Sequence, residues 1–202
     1  YEKKDYQGAL KIYQSMLPSA EVYLGKGACY QELENYDEAI KNYQEAVKLD
    51  AGNTNAYYYL GLAYYYKENL TEAQKALDKA KQLDPTNTDR QEALKALSSA
   101  NSDKYMNKGL DYYTSGQYTE ALKNLNYAIS KSPSNGYAYY YRGLTYDAMK
   151  KAPLAIADYK KAIEYSSDLS EAYYSLAIDY DASKNFVEAK KYYKKFIDMS
   201  SN

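Results

Sequence analysis

In a chain of 202 residues, 26 basic side chains stand against 27 acidic ones, and the formal net charge of -1 provides no broad field to attract nucleic acid or an anionic membrane. A single cysteine excludes an internal disulfide framework, and the absence of histidine removes the commonest general base and metal ligand. At 46% hydrophobic content there is enough apolar material to fold, yet no run approaches the roughly 20 apolar residues of a membrane span, and the start lacks the charged-then-apolar pattern of a secretory signal.

The frame of the chain is set by a recurring small residue: Ala39, Ala73, Ala121, Ala155 and Ala189, with Ala9 as a partial copy before them. The intervals of 34, 48, 34 and 34 residues describe a 34-residue repeat interrupted once by 14 extra residues. That period predicts an all-α solenoid of helical hairpins, a surface for binding more than a pocket for catalysis. A half unit, 1–19, precedes full units at 20–53 and 54–87; residues 88–101 belong to no unit; 102–135, 136–169 and 170–202 complete the array.

The half unit reads as an unpaired second helix carrying Tyr6, Ile12 and Tyr13. In the full units the first helix repeats aromatics seven residues apart, at Tyr23/Tyr30, Tyr57/Tyr64, Tyr105/Tyr112, Tyr139/Tyr146 and Tyr173/Tyr180, which places each pair on one face. Between them stand Gly27, Gly61, Gly109, Gly143 and Ala177, where a minimal side chain lets the partner helix approach. The second helices answer with Ala39/Tyr43/Ala46, Ala73/Leu77/Ala80, Ala121/Leu125/Ala128, Ala155/Tyr159/Ala162 and Ala189/Tyr193/Phe196, so that small residues admit the neighbour and the large one fills the gap. Cys29, on this packing face, reads as a buried small hydrophobe.

In unit 54–87 the pattern predicts a helix from Asn55 to Lys67, a turn at Glu68–Asn69, and a second helix capped by Thr71 that ends at Asp84–Pro85. In the insertion, Asp89 to Leu97 forms helix readily with Ala93, Leu94 and Leu97 on one face, whereas residues 98–103 have poor helix propensity and Ser102 is placed to cap the next helix. A short extra helix followed by a turn is therefore expected in preference to one long helix over 89–114, and the insertion is the expected site of a bend between two blocks.

These registered copies resemble the tetratricopeptide repeat family over nearly the whole chain, best in unit 54–87 with Tyr57, Leu60, Gly61, Tyr64, Ala73, Leu77, Ala80 and Pro85. The resemblance implies a right-handed superhelix of antiparallel helix pairs with a concave groove lined by the first helices. Departures from the pattern are Lys26, Lys108 and Arg142 where leucine is favoured, read as stems on apolar surface with the charge reaching water, and Ala51 and Ser167 where proline closes the repeat. The family's carboxylate clamp for acidic chaperone tails is disfavoured: Leu24 and Ala28, or Tyr58 and Leu62, stand where lysine and asparagine are needed, and Asn107 alone matches.

Of the 30 tyrosines, 17 occupy packing slots in this register. Tyr58, Tyr59, Tyr65, Tyr66, Tyr113, Tyr137, Tyr140, Tyr141 and Tyr174 have no evident packing duty, and helical phase turns them toward the groove. Together with Asn107 they form the candidate ligand groove, since exposed aromatics offer large contact area at little entropic cost. Glu21, Asp103, Asp111, Asp147, Asp179 and Asp181 give it a mildly negative rim suited to a cationic or neutral peptide. Lysines 184, 190, 191, 194 and 195 read as a solvated outer face.

No phosphate loop, zinc-type cysteine set or nucleophile elbow appears, so no catalytic function, cofactor or metal is expected. The expected function is a protein-interaction scaffold binding an extended or helical peptide. A second reading is a structural module whose apolar ends, Tyr192, Tyr193, Phe196, Ile197 and Met199 on one side, stack on another copy; a weaker third is glycan binding by surface tyrosines. Tyr1 falls midway through a repeat, which leaves room for an upstream segment removed by processing or truncation. Tyrosine, lysine and asparagine richness points to an AT-rich bacterial genome, with the compartment open between cytoplasmic and extracytoplasmic.

Overall fold

The structure is a computed structural model that describes residues 5–200; the first four residues of the half unit and the last two of unit 170–202 lie outside the described residues. The described residues form eleven α-helices and no strand: α1 (Tyr6–Ser15), α2 (Ala20–Glu32), α3 (Tyr36–Leu49), α4 (Thr54–Tyr66), α5 (Leu70–Leu83), α6 (Thr88–Thr114), α7 (Tyr118–Lys131), α8 (Gly136–Ala148), α9 (Ala152–Tyr165), α10 (Ser170–Ala182) and α11 (Phe186–Ser200). They fall into two compact units, Tyr1–Leu97 and Ser98–Asn202. Among the described residues no helix is long and apolar enough to cross a membrane.

Within the first unit α2 pairs with α3 and α4 with α5, while α1 leans on α2 and α3 on α4; within the second, α8 pairs with α9 and α10 with α11, while α7 leans on α8 and α9 on α10. The pairs are antiparallel, and within each unit successive pairs lean on one another, the arrangement that a helical-hairpin repeat dictates. The glycines do what their register predicts. A Cβ on Gly61 would stand 2.6 Å from Leu77, and one on Gly143 2.6 Å from the Tyr159 ring, so both hairpins close over a bare backbone.

Alanine carries more of the core than the tyrosine count suggests. Ala39, Ala46, Ala56, Ala63, Ala73, Ala80, Ala121, Ala128, Ala138, Ala155, Ala162, Ala172 and Ala177 are wholly buried. Of the 17 tyrosines assigned to packing slots, Tyr43, Tyr159 and Tyr173 are buried and the others are half-buried. Helices drawn together by alanine leave room for one large side chain per hairpin, and the other rings lie across the seams with their hydroxyls near water. Tyr6 thus donates to Glu32 at 2.7 Å, and the Tyr64 hydroxyl accepts from Gln44 at 2.8 Å. Cys29 is buried as expected.

Three local expectations are corrected. The N-cap of α5 is Asn69, not Thr71: its side chain accepts from the Glu72 N–H, and asparagine is among the best caps because its short amide reaches that orphan donor. The turn expected within 98–103 is absent, because α6 runs unbroken from Thr88 to Thr114. Ser102 is therefore not a cap but a wholly buried mid-helix residue that accepts from Asn135 Nδ2 at 2.9 Å. Arg142, finally, does not send its charge to water. Its Nε and Nη2 donate to the buried Asp158 carboxylate, each at 2.7 Å, and Nη1 donates to Asn126 at 2.6 Å. Lys26 and Lys108 at the matching positions lie over the rings of Tyr23 and Tyr105.

Candidate functional site

The predicted groove residues stand on the first helices of both units. In the first unit, α4 presents Tyr58, Tyr59 and Tyr65. Asn53 caps this helix by accepting from the Ala56 N–H at 3.0 Å, which fixes the phase of the residues that follow. Tyr59 is 37% exposed, with its ring centroid 5.2 Å from Tyr58 and 6.0 Å from Tyr43. Tyr58 and Tyr65 do have a packing duty: they lie against the buried Ala73, Leu77 and Leu97, and burial raises the Tyr58 hydroxyl pKa. Tyr66 is exposed and stacks on Tyr36 at 5.3 Å.

The same cluster shows what the start of α6 does in this unit. Leu97 is wholly buried against α5, with Ala93 and Leu94 beside it, so residues 88–97 cover α5 as α4 covers α3. Arg90, itself buried, anchors the segment by donating to Asp84 and, at 3.0 Å, to Asn55 Oδ1. Its guanidinium holds the Asp84 carboxyl below the usual range.

In the second unit Tyr137 and Tyr174 are 43% and 45% exposed, while Tyr113, Tyr140 and Tyr141 are half-buried and Asn107 is exposed. Tyr137 and Tyr141 are four residues apart and so lie on one stripe of α8. Tyr140 packs into the core around Tyr159, Leu176 and Ala172, which again is a packing duty that the sequence did not show, and burial raises its hydroxyl pKa. Tyr174 rests on Phe196 at 5.0 Å and on Tyr193 at 6.1 Å. Of the predicted acidic rim in this unit, Asp103, Asp111 and Asp181 are exposed.

Asp147 and Asp179 depart from the rest of that rim, and sequence reading missed what they do. Both are half-buried, on α8 and α10, and their side chains hydrogen-bond to one another. The Tyr159 hydroxyl donates to Asp147 Oδ2 at 2.6 Å. Burial raises Asp147, and burial together with the Asp147 charge raises Asp179 to about 7. The two are 32 residues apart on different hairpins, so no spacing rule within a helix joins them.

Along α11 a shallow groove is lined by Asp181, Phe186, Ala189, Lys190, Tyr193 and Lys194. Lys191 pairs with Glu188 at 3.3 Å, and the other lysines of this helix are exposed.

Family models described as tetratricopeptide repeat match residues 20–53, 54–87 and 106–169. The RNA polymerase-associated protein CTR9 of Saccharomyces cerevisiae is 38% identical over 61 residues, a stretch that covers 28% of this chain and only 6% of that relative. Among solved structures, MamA is 26% identical with 87% of this chain and 94% of that one covered at a TM-score of 0.49. A complex of the TPR2AB domain of yeast Sti1 is 21% identical, covering 100% and 86%, also at 0.49. YrrB, described as a TPR protein with an unusual peptide-binding site, is 20% identical, covering 98% and 94%, at 0.46.

Proposed function

The chain belongs to the tetratricopeptide repeat family, and from that premise we propose that it is a non-enzymatic protein-interaction module whose first helices hold an extended or helical peptide against their exposed tyrosines. The observation that carries this reading is made in each unit by itself: the exposure of Tyr59 in the first, and of Tyr137 and Tyr174 in the second, each already in contact with a second aromatic ring or standing on a regular helix. Such rings lose little freedom on binding, so their contact area is not cancelled by ordering entropy. Within the second unit the nearby carboxylates Asp103, Asp111 and Asp181 favour a neutral or basic segment over an acidic one.

The test is fluorescence anisotropy of the full chain with arrayed basic, neutral and acidic peptides, for the native protein and for a Tyr137→Ser/Tyr141→Ser/Tyr174→Ser variant whose helix content is verified by circular dichroism. Neutral or basic peptides bind the native chain, and the variant loses about tenfold or more in affinity. Equal capture by the variant overturns the reading. So does an absence of capture by a chain that sediments as a multi-copy assembly; that outcome favours association through exposed apolar residues of the terminal helices, such as Ile12, Phe186 and Val187.

A further inference from the structure

The chain has no histidine, so no side chain of ordinary pKa titrates between about pH 5 and pH 8. The Asp147 and Asp179 carboxyls are the exception, and their geometry says why. Each lies in the C-terminal part of its helix, the negative end of the helix dipole. Asp179 Oδ2 is buried with no hydrogen-bond partner among the described residues. An ionised carboxyl would leave that oxygen bare, whereas a protonated one has the Asp147 carboxylate to donate to. Asp147 in turn accepts from the Tyr159 hydroxyl of α9. The titratable groups that face the pair are Tyr159 from α9, Tyr140 from α8, which packs on Tyr159, and Tyr113 from α6; α7 and α11 contribute no charge to either carboxyl among the described residues.

We propose that the Asp147–Asp179 contact is a proton-operated latch between α8 and α10: one shared proton clasps the first helices of two adjacent hairpins, and its loss to water leaves two carboxylates facing each other with a single phenolic donor between them. The latch stands whether or not a peptide binds. Ser175 of α10 also interacts with Tyr140 of α8, a tyrosine of the candidate site. The sign follows from the raised carboxyls. The folded state keeps a proton that the unfolded chain has already lost, so the added stability is complete below the ordinary carboxylate range, declines as pH rises from there, and is gone above about 7.

The experiment is a carbon NMR titration of the aspartate carboxyls in the full chain, with urea unfolding at pH 5 and pH 8 of the native protein and of Asp179→Asn, whose amide keeps a donor toward Asp147 but does not titrate. One aspartate carbon titrates near neutrality and disappears in the variant. The unfolding equilibrium constant of the native chain rises by at least about tenfold from pH 5 to pH 8, and that of the variant changes little. Aspartate carbons that all titrate near pH 4, or a variant with the same pH dependence as the native chain, overturn the latch. Should Asp179→Asn fail to fold, Asp147→Asn takes its place, and the titration of the native chain decides without any variant.

Discussion

Arg142 shows how a single residue can be misread from its place in a repeat and still be legible from the repeats compared. The position before the small residue of each first helix and the one sixteen residues later stand opposite in each hairpin, and they change together: Lys26 with Asn42, Leu60 with Ala76, Lys108 with Asn124, Arg142 with Asp158, Leu176 with Tyr192. Where the first is lysine, the asparagine turns back to its own helix, Asn42 onto the Glu38 carbonyl and Asn124 onto the Glu120 carbonyl, each at 2.8 Å. Where the first is arginine, the partner becomes a carboxylate and the pair is buried, with side chains 19% and 7% exposed. Reading Arg142 by itself gave a snorkelling stem; reading it with Asp158 gives an ion pair. Removing one partner of a buried pair strands the other charge, whereas replacing both with apolar groups of fitting size does not. Arg142→Leu alone is therefore expected to cost about 3–5 kcal/mol. The double change Arg142→Leu/Asp158→Ala, which installs the Leu60/Ala76 pair, is expected to cost under about 1.5 kcal/mol. Urea unfolding of the three proteins measures the difference; equal losses in the single and double variants would show that the pair does not act as a unit.

At the scale of elements, helix placement followed the apolar periodicity closely, and the absent turn within 98–103 and the misassigned Ser102 cap have one cause. Propensity disfavours residues 98–103 as helix by only a few tenths of a kcal/mol each. That sum is small beside the burial of Ser102 and the bonds that Asn135 donates to it and to Asp103, so tertiary contact overrides the sequence preference and α6 continues. The turns between paired helices show the opposite case, in which backbone geometry overrides residue type. Glu34, Glu68, Gly116, Lys150 and Lys184 all have positive φ at the same repeat position, and the following N–H reaches back five residues to close the helix, as Gln117 does to the Tyr112 carbonyl at 2.8 Å. Only one of the five is the residue such a backbone favours. A side chain on Gly116 would meet nothing within 4 Å, so Gly116→Ala isolates the cost of the left-handed backbone. A loss of about 1 kcal/mol is expected, since the strain exceeds the entropy gained in the unfolded chain, and thermal unfolding of the variant reads it. A neutral or stabilising Gly116→Ala would mean that the turn relaxes out of positive φ.

For the whole molecule, composition announced the tyrosines, but which rings would be exposed was not legible, because exposure depends on how closely alanine draws the helices together. The buried rings have a consequence for stability that the exposed ones do not share. Burial raises the hydroxyl pKa of Tyr43, and for Tyr159 the adjoining Asp147 raises it further. Tyr58, Tyr113, Tyr140 and Tyr173 are raised by the same desolvation. A raised group holds its proton in the folded state after the unfolded chain has released it, so its stabilisation is complete below about pH 10, the ordinary tyrosine value, and is lost as pH rises toward the folded value. Cys29, raised by burial, starts the same decline from about pH 8.5. The carboxyl pair acts below about 7, and with no histidine present little else titrates between these windows. Stability against pH is therefore expected to fall toward neutrality, level off, and fall again steeply above pH 10. Absorbance at the tyrosinate band followed together with helical circular dichroism tests this. The buried rings ionise only in the step that unfolds the helices; thirty tyrosines titrating as one ordinary group, with the helices unchanged throughout, would mean that the rings are not held in the seams as described.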